Sequence, residues 1–432
     1  MRLIAALLAL AALAGAVAYG ALVWWPARPG YSGERPAFRP VALNPNGHYT
    51  VTLWDVDYTV PGAPYRGRVE AWAAAYHRAH PNITVEVRLL PPDGAQAELQ
   101  AALARGRAPD VFAAPYDWPP LDTAWRVPLD RYLRTGKGDG RAGTVDPSAF
   151  TDAGLASLRD TRGLAALPRW LAFWWWVADG RRLKEDGGAP GPDDLLVAVA
   201  KNAELWWRMN HDALVMDAGG ERAALEMFAA AGPSEEAWAR AAAALDGLAR
   251  AQALPAVDAG AEETALIRFA KRQAVVIGGL TPPALDRVMR RLSWAIPVPP
   301  PGGAAPEPLI GASGVYVFYQ RPYQGVAHTQ AAVQVARDYS LWRDAEVEAA
   351  LGVVPAGREG AAAWQAGAPK AWAAAVGWAL AEAGAGRAVD FPPRWDERAR
   401  SAWEAVRPTV ARLVRGEDVR LSDAVRAAWG RP

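Results

Sequence analysis

The segment from residue 49 to residue 114 alternates between two periodicities, and this alternation constrains the fold more than any other feature of the chain. "YTVTLWDV", "ITVEVRLL" and "PDVFAAP" are short runs with the two-residue period of strands or with a buried apolar centre. Between them, "PYRGRVEAWAAAYHRAH" and "GAQAELQAALARG" have helical spacing and are stopped by Pro81 and Gly106. Strand–helix–strand–helix–strand with short connections predicts a parallel sheet with right-handed crossovers.

Polar and aromatic side chains follow two of these predicted strands. Open parallel sheets bind ligands beyond the carboxyl ends of their strands, so these side chains are candidates for a binding site. The first turn, "DVDYTVPGAPYRG", lacks the G-x-G-x-x-G pattern of a dinucleotide site, and no G-x-x-x-x-G-K-[ST] pattern occurs anywhere in the chain. The candidates are Asp55, Asp57 and Tyr58 after the first strand, and Tyr116, Asp117 and Trp118 after the third.

Length, charge and cysteine content exclude several classes of protein. A chain of 432 residues is too long for one ordinary core, which predicts two lobes. The balance of 47 Lys and Arg against 46 Asp and Glu gives no field that would attract nucleic acid. The absence of cysteine excludes disulfides, thiol catalysis and a lipid-modified N-terminal cysteine.

His77 and His80 are three residues apart on a predicted helix and could share a metal ion, but a solvated helix face is the simpler interpretation. We therefore predict neither a metal nor a cofactor.

The N-terminus indicates export. Residues 1–25 are uncharged after Arg2 and contain an A-x-A triplet that ends at Ala18, which fits a cleaved signal peptide. The same run is long enough to remain as a membrane anchor, with an aromatic edge at Trp25. Residues 26–48 are rich in Pro and Gly and are predicted to be a linker. Both interpretations place a soluble, monomeric body outside the cytoplasm.

Four tryptophans lie close together in the run "PRWLAFWWWVADG". The run is too short, and too interrupted by Arg169, to cross a membrane. In a strand, Trp174 and Trp176 would share one face and Trp175 would take the other. Because large aromatic side chains are mostly buried, one face is expected to be core and the other to offer indole to a ligand. Trp170 is the favoured stacking residue and is expected to be partly exposed, whereas Trp175 is expected in the core.

Several segments resemble bacterial extracellular solute-binding proteins of the sugar-binding family 1. "VTLWDV", the "G-x-x-PDV" turn at 106–111, "VPLDRYL", "ALIRFAKRQAVVIGG", "WAIPVPPPGG" and "IGASGVYV" follow one another in the order of that family. The resemblance covers roughly residues 50–430 and departs between about 190 and 220. It implies a two-lobed α/β fold of the periplasmic-binding-protein type II. Each lobe would be a mostly parallel sheet flanked by helices, with ligand in the cleft between the lobes.

The resemblance also implies domain limits and further site residues. The first crossing between lobes would come just after Pro168. Lobe 1 would be 49–167 completed by 300–345, and lobe 2 would be 168–299 completed by 346–432. "RWDERARSAWEAVRPTVARLV" has helical spacing and would return to lobe 2. Leu280 stands where family members often carry Trp. The resemblance and the Trp run add these ligand-binding candidates: Trp170, Trp174, Gly279, Ser313 and Trp395.

These features predict capture of a carbohydrate, as an oligosaccharide, and its delivery to the permease subunits of an ABC importer, with no catalytic residue. A pyranose offers an apolar C–H face to aromatic rings and hydroxyls to carboxylates such as Asp117. A secreted carbohydrate-active enzyme is the first alternative, because aromatic platforms and paired carboxylates also build glycosidase clefts. The second alternative is a ligand-sensing partner of a membrane receptor. No Glu near a predicted strand end suits the role of an acid catalyst, which disfavours the enzyme.

Overall fold

Two larger β-sheets with flanking helices, and one two-stranded sheet, organise the described part of the chain in the computed structural model. The strands are β1 (Tyr49–Val56), β2 (Ile83–Leu90), β3 (Val111–Ala114), β4 (Arg159–Asp160), β5 (Gly163–Leu164), β6 (Leu167–Trp174), β7 (Trp176–Asp179), β8 (Asp212–Met216), β9 (Ala274–Gly278), β10 (Ala295–Val298), β11 (Leu309–Val317), β12 (Val354–Pro355) and β13 (Val389–Asp390). The structure describes residues 38–62, 64–119, 121, 124–134, 145–185, 212–216, 221–250, 262–302, 307–319 and 322–430.

The helices lie between and after these strands. They are α1 (Tyr65–Ala79), α2 (Ala95–Ala104), α3 (Asp152–Ser157), α4 (Gly180–Glu185), α5 (Glu221–Ala231), α6 (Glu235–Arg250), α7 (Glu262–Ala270), α8 (Pro282–Arg291), α9 (Val326–Ser340), α10 (Ala345–Leu351), α11 (Arg358–Gly367), α12 (Lys370–Gly384), α13 (Glu397–Val414) and α14 (Leu421–Trp429). Among the described residues, no helix is long and apolar enough to cross a membrane. The predicted signal peptide or anchor, 1–25, lies outside the described residues, as does the predicted linker up to residue 37.

The large sheet has the strand order β12-β6-β11-β3-β1-β2, with β13 beside β11. Its parallel part is β2-β1-β3, in which α1 and α2 are the crossovers, as the sequence predicts. Alternating burial along β1 comes from its alternating apolar residues, which face the core. β11 returns antiparallel to both β3 and β6, so the sheet is mixed rather than mostly parallel.

The small sheet has the order β10-β7-β9-β8 and is also mixed, because β7 runs antiparallel to its two neighbours. α5, α6, α13 and α14 pack against one another beside this sheet. The predicted C-terminal helix is confirmed, with Trp403, Val406, Val410 and Leu413 all buried. The C-terminal helices therefore complete the core of the small sheet.

The Trp run is the joint between the two sheets. β6 belongs to the large sheet up to Trp174, and β7 begins at Trp176 in the small sheet. The chain therefore changes sheet at Trp175 and not just after Pro168. The expectation that Trp174 and Trp176 share a face is wrong for the same reason. Trp174 packs in the large-sheet core, Trp176 in the small-sheet core, and Trp175 in a third apolar cluster.

This third cluster spans both sheets, and we call it the shared core. It contains Leu171 and Phe173 from β6, Val177 from β7 and Ile277 from β9, covered by α8, α11 and α12. Apolar side chains from the two sheets are thus buried together, on the opposite side of β6 from Trp170 and Trp174. The sheets are held together by packing as well as by the continuous chain.

Candidate functional site

The loops after β1 and β3 lie side by side, because the two strands are parallel neighbours. Burial raises the pKa of Tyr58, and the charges of Asp55 and Asp117 add to this rise. Burial also raises the pKa of Tyr116, where Asp117 adds to the rise and Arg222 opposes it. Asp117 therefore lies near both tyrosines, and an arginine from α5 lies near Tyr116.

Arg222 comes from a helix that packs against both sheets. It lies on α5, whose Ala224 is buried in the small-sheet core and whose Ala229 is buried in the large-sheet core. The Nη1 atom of Arg222 donates to the carbonyl oxygen of Gly279 at 3.4 Å. Gly279 follows β9 with a φ of 77°, in the left-handed region that favours glycine. Arg222 is thus hydrogen-bonded to Gly279 and lies close enough to Tyr116 to lower its pKa.

Glu226 holds the Gly279 peptide in place. It is fully buried, one helical turn after Arg222 on α5. Its Oε2 atom accepts hydrogen bonds from Trp176 Nε1 at 2.9 Å and from the backbone N–H of Gly279 at 3.2 Å. The carboxylate therefore ties the joint between the sheets to the Gly279 peptide. Sequence reasoning missed Arg222 and Glu226, because α5 follows the segment where the family resemblance departs.

A narrow crevice lies beside Tyr116, between the loop after β3 and the segment after β13. Trp174 packs behind it, with its ring centre 5.9 Å from that of Tyr116 and 4.7 Å from that of Phe391. Burial raises the pKa of Asp390, and an ion pair with Arg394 at 3.0 Å opposes that rise. The cavity volume is only about 20 Å³, room for about one water molecule. The crevice is therefore too small to be a sugar subsite.

Asp55 does not face the cleft. Its side chain is fully buried, and its Oδ2 atom accepts three hydrogen bonds. The donors are Tyr65 Oη at 2.6 Å, Tyr339 Oη at 2.5 Å and Arg169 Nη1 at 2.8 Å. All of these donors are protein groups, so Asp55 exposes no acceptor atom to a ligand, contrary to the prediction. It lies inside β1, where its side chain points to a face of the sheet rather than beyond the strand end.

Trp170 and Trp174 are core residues in this structure, at 2% and 4% exposure. The expectation that Trp170 is partly exposed is wrong, because two neighbours pack against the indole. The Arg169 guanidinium lies 3.7 Å from its ring centre, and the Tyr58 ring meets it edge-on at 5.9 Å. Tyr58 itself is only half-buried. Tyr58, which packs on Trp170, therefore keeps more exposed surface than Trp170 does.

Asp57 and Trp118 lie at the margins of the site. Asp57 is partly exposed and pairs loosely with Arg66 at 3.7 Å. Trp118 is half-buried, lines the crevice and stacks on Phe112 with ring centres 5.7 Å apart. Both follow strand ends, as the sequence predicts, and both keep some exposed surface.

Ser313 and Trp395 are placed elsewhere. The Oγ atom of Ser313 donates to the carbonyl oxygen of Ala114 at 2.7 Å, which holds β11 to β3 beside a bulge. Trp395 packs against Trp238 at 4.8 Å and Trp403 at 6.0 Å between ring centres, in the small-sheet core. From the predicted set, Asp117 lies near both Tyr58 and Tyr116, while Gly279 is bonded to Arg222, which lies near Tyr116.

The part of the chain that the structure describes contains no cluster of three or more His, Asp or Glu side chains that could hold a metal ion. Of the charged groups near Tyr116, Asp117 can accept hydrogen bonds and Arg222 can donate them. With two tyrosines beside them, they form a surface suited to a polar solute that has an apolar face.

The sequence profile of the bacterial extracellular solute-binding proteins matches residues 62–336, so the chain belongs to this family. The predicted family is confirmed. A search of curated proteins gives no significant match to the sequence.

Solved structures show the same fold. One is a cyclic α-maltosyl-1,6-maltose binding protein from Arthrobacter globiformis, with a TM-score of 0.59, 15% identity, and coverage of 88% of this chain and 97% of that chain. The GacH receptor of Streptomyces glaucescens has a TM-score of 0.55, 16% identity, and coverage of 88% and 97%. The galacto-N-biose/lacto-N-biose I-binding protein of Bifidobacterium longum has a TM-score of 0.56, 14% identity, and coverage of 89% and 96%. The predicted two-lobed α/β fold is confirmed.

Proposed function

We propose that this protein captures a carbohydrate outside the cytoplasm and delivers it to the permease subunits of an ABC importer. The observation that carries the proposal is the grouping of Tyr58, Tyr116 and Asp117 beyond neighbouring strands, with Arg222 near Tyr116 and bonded to Gly279, and we propose that an interlobe cleft lies between them. Membership of the extracellular solute-binding family supports capture of a solute. Similar folds were solved with acarbose and with lacto-N-biose, the latter in a protein of an ABC transporter.

The chemistry of the cleft suits an oligosaccharide. The rings of Tyr58 and Tyr116 offer apolar surface to the C–H face of a pyranose, and their hydroxyls remain protonated because burial raises both pKa values. Asp117 accepts hydrogen bonds from sugar hydroxyls, and Arg222 donates to sugar oxygens. The binding surface is thus complementary in both shape and hydrogen bonding to a neutral sugar.

We propose binding without turnover. A glycosidase places two carboxyl groups across the bond that breaks. Of the predicted carboxylates, Asp55 is held in the interior by Arg169 and Asp57 pairs loosely with Arg66. The family and the solved neighbours are binding proteins, which supports the same conclusion.

We propose that the two sheets are the cores of two lobes that close on the ligand by rotation about the joint at Trp175. The lobes are 49–167 with 300–345 and 168–299 with 346–432, except that β6, β12 and β13 belong to the large sheet. Residues 1–25 are proposed to export or anchor the body. A ligand-sensing partner of a membrane receptor would use the same closure. Transport is distinguished from sensing by whether the ligand-loaded protein stimulates the ATPase activity of the reconstituted permease.

Calorimetric titration of the chain from Gly47 onward tests the function. We expect saturable binding of at least one sugar from a panel of maltose, maltotriose, xylotriose and lacto-N-biose. Tyr116→Ala should weaken that binding at least about tenfold, which corresponds to about 1.4 kcal/mol. Tyr319→Ala is the control, because Tyr319 is half-buried against Phe38 and Trp125.

Two outcomes of this experiment contradict the proposal. The first is the absence of binding to every sugar in the panel by a folded protein. The second is the release of new reducing ends during incubation with the oligosaccharides, which would show an enzyme. Equal loss of affinity in Tyr116→Ala and Tyr319→Ala would move the site away from this cleft.

A further inference from the structure

A fully buried ion pair lies at the end of β1, behind the cleft. Arg169 Nη1 donates to Asp55 Oδ2 at 2.8 Å, and both side chains have 0% exposure. The hydroxyls of Tyr65 and Tyr339 donate to the same carboxylate oxygen. Arg169 Nη2 also donates to the Tyr65 hydroxyl at 2.9 Å. We call these four residues the buried ion-pair cluster. It joins β1, β6, α1 and α9 at one point.

Stability alone is a poor explanation of this cluster. Removing two charges from water carries a desolvation penalty that often equals or exceeds their attraction, and apolar residues of similar volume frequently replace such pairs without loss. The Nε atom of Arg169 is buried and has no hydrogen-bond partner among the described residues. The orientation of the guanidinium therefore does not maximise its hydrogen bonds. Its ring contacts indicate another role.

The guanidinium of Arg169 is stacked between aromatic rings. It lies 3.7 Å from the ring centre of Trp170 and 4.2 Å from that of Tyr339. A planar, delocalised cation is well suited to such stacking, and lysine cannot reproduce it. Arg169 thus fixes the position of Trp170 by stacking on one face of its indole. Tyr65 is fixed by its hydrogen bonds to the other members of the cluster.

Trp170 and Tyr65 are the two rings that support Tyr58. The Tyr58 ring meets Tyr65 edge-on at 5.2 Å and Trp170 edge-on at 5.9 Å between centres. Arg169 contacts both supports, one by stacking and the other by a hydrogen bond. The position of the Tyr58 ring at the cleft is therefore determined through Arg169, which Asp55 holds in place.

We propose that Asp55 and Arg169 are positioning residues that orient Tyr58 for stacking against the carbohydrate. This inference rests on the proposed function. A ring that is already fixed in its binding orientation loses less side-chain freedom when ligand binds, which raises affinity. The charged pair is retained for this orientation, and it never contacts the sugar itself.

The test uses two double variants of the chain from Gly47 onward. Asp55→Asn with Arg169→Met removes both charges at the cluster and the planar stack. Arg343→Met with Glu348→Gln is the matched control, because that pair is also bidentate, at 2.6 and 2.8 Å, with Glu348 at 3% side-chain exposure. We expect the first double variant to bind the best sugar of the panel at least tenfold more weakly than wild type. The control should stay within twofold.

A readout without ligand separates this inference from the proposed function. Proteins are labelled with 3-fluorotyrosine, and the Tyr58 resonance is assigned by its loss in Tyr58→Phe. We expect the cluster variant to shift or broaden this fluorine resonance and the control to leave it unchanged. An unchanged Tyr58 resonance in a folded cluster variant overturns the inference, whatever the sugar affinity. A wild type that binds no sugar overturns the proposed function, and the resonance still decides the positioning.

Arg169→Lys keeps the test decisive if the double variant does not fold. It preserves the positive charge beside Asp55 but removes the planar stack on Trp170. We expect its Tyr58 resonance to move while its melting temperature stays close to wild type. A Tyr58 resonance identical to wild type in Arg169→Lys would show that the stack does not position the ring.

Discussion

Burial of Trp170 changes what its substitution should do. The side chain is 2% exposed and lies between the Arg169 guanidinium and the Tyr58 ring. We expect Trp170→Ala to reduce the free energy of unfolding by about 3–5 kcal/mol, as for other large aromatics in cores. Urea unfolding measures this, with Trp118→Ala as a half-buried control that should lose less. A Trp170→Ala protein with wild-type stability would show that the indole is not packed as described.

Asp117 should make ligand binding depend on pH. Asp117 keeps exposed surface, but the surrounding protein partly desolvates its carboxyl and raises its pKa above the ordinary value of Asp, so it becomes neutral at a higher pH. The neutral form is favoured in the folded protein, so Asp117 itself supports folding as pH falls. The ionised form accepts hydrogen bonds from sugar hydroxyls, so affinity should fall as pH drops through this raised pKa. Titrations from neutral to mildly acidic pH should show this decline, and Asp117→Asn should remove it.

The predicted residues that remain in the proposed site follow the end of a strand, and those that the structure places elsewhere include residues within a strand. Tyr58, Tyr116 and Asp117 come after β1 and β3, and the sequence shows both strand ends. Asp55 is inside β1, so alternation along the strand sends it into the interior. Arg222 came from a helix with no motif of its own. Only the packing of α5 against both sheets brings it to the cleft.

At the scale of elements, α5 connects the joint to the cleft. Glu226 accepts hydrogen bonds from Trp176 and from Gly279, and all three are buried. Glu226→Leu should leave two buried donors unpaired, at a cost of about 1–3 kcal/mol each. Chemical denaturation should show the loss of stability, and amide exchange at Gly279 should accelerate. Glu226→Gln keeps an acceptor oxygen and should lose less. Equal stability of the Leu and Gln variants would contradict this role.

Elements with clear boundary signals were predictable, and the joint was not. Pro81 and Gly106 mark the limits of α1 and α2, so the alternation of the first five elements is evident from the sequence. Between Trp174 and Trp176 there is no glycine, proline or polar residue to mark the change of sheet. The break at Trp175 follows from which strands each half can pair with, β11 and β12 or β9 and β10. Those pairing strands are distant in sequence from the Trp run, so a local pattern does not reveal the break.

At the scale of the molecule, the shared core couples the two sheets. Leu171 and Phe173 from one sheet are buried with Val177 and Ile277 from the other. The proposed closure about Trp175 would therefore involve small sliding movements of α8, α11 and α12 over this cluster. The lobes cannot separate freely, because their apolar surfaces are buried together.

The same coupling predicts cooperative unfolding. Calorimetry of the ligand-free chain from Gly47 onward should show one transition, whose calorimetric and van't Hoff enthalpies agree. Phe173→Ala should lower the temperature of that transition without splitting it. Two resolved transitions in wild type would show that each lobe unfolds alone and that the shared core contributes little to their coupling.

The strand order of the large sheet also has a consequence for how the chain acquires its structure during synthesis. β3 and β6 have both been synthesised once the chain reaches residue 174. β11, which lies between them in the sheet, begins only at Leu309. Until β11 is made, β3 and β6 have open edges that other chains can pair with. Contacts between such distant segments also slow folding. A nascent chain that stops before residue 309 is therefore expected to aggregate, and completion of the sheet waits for the last third of the protein.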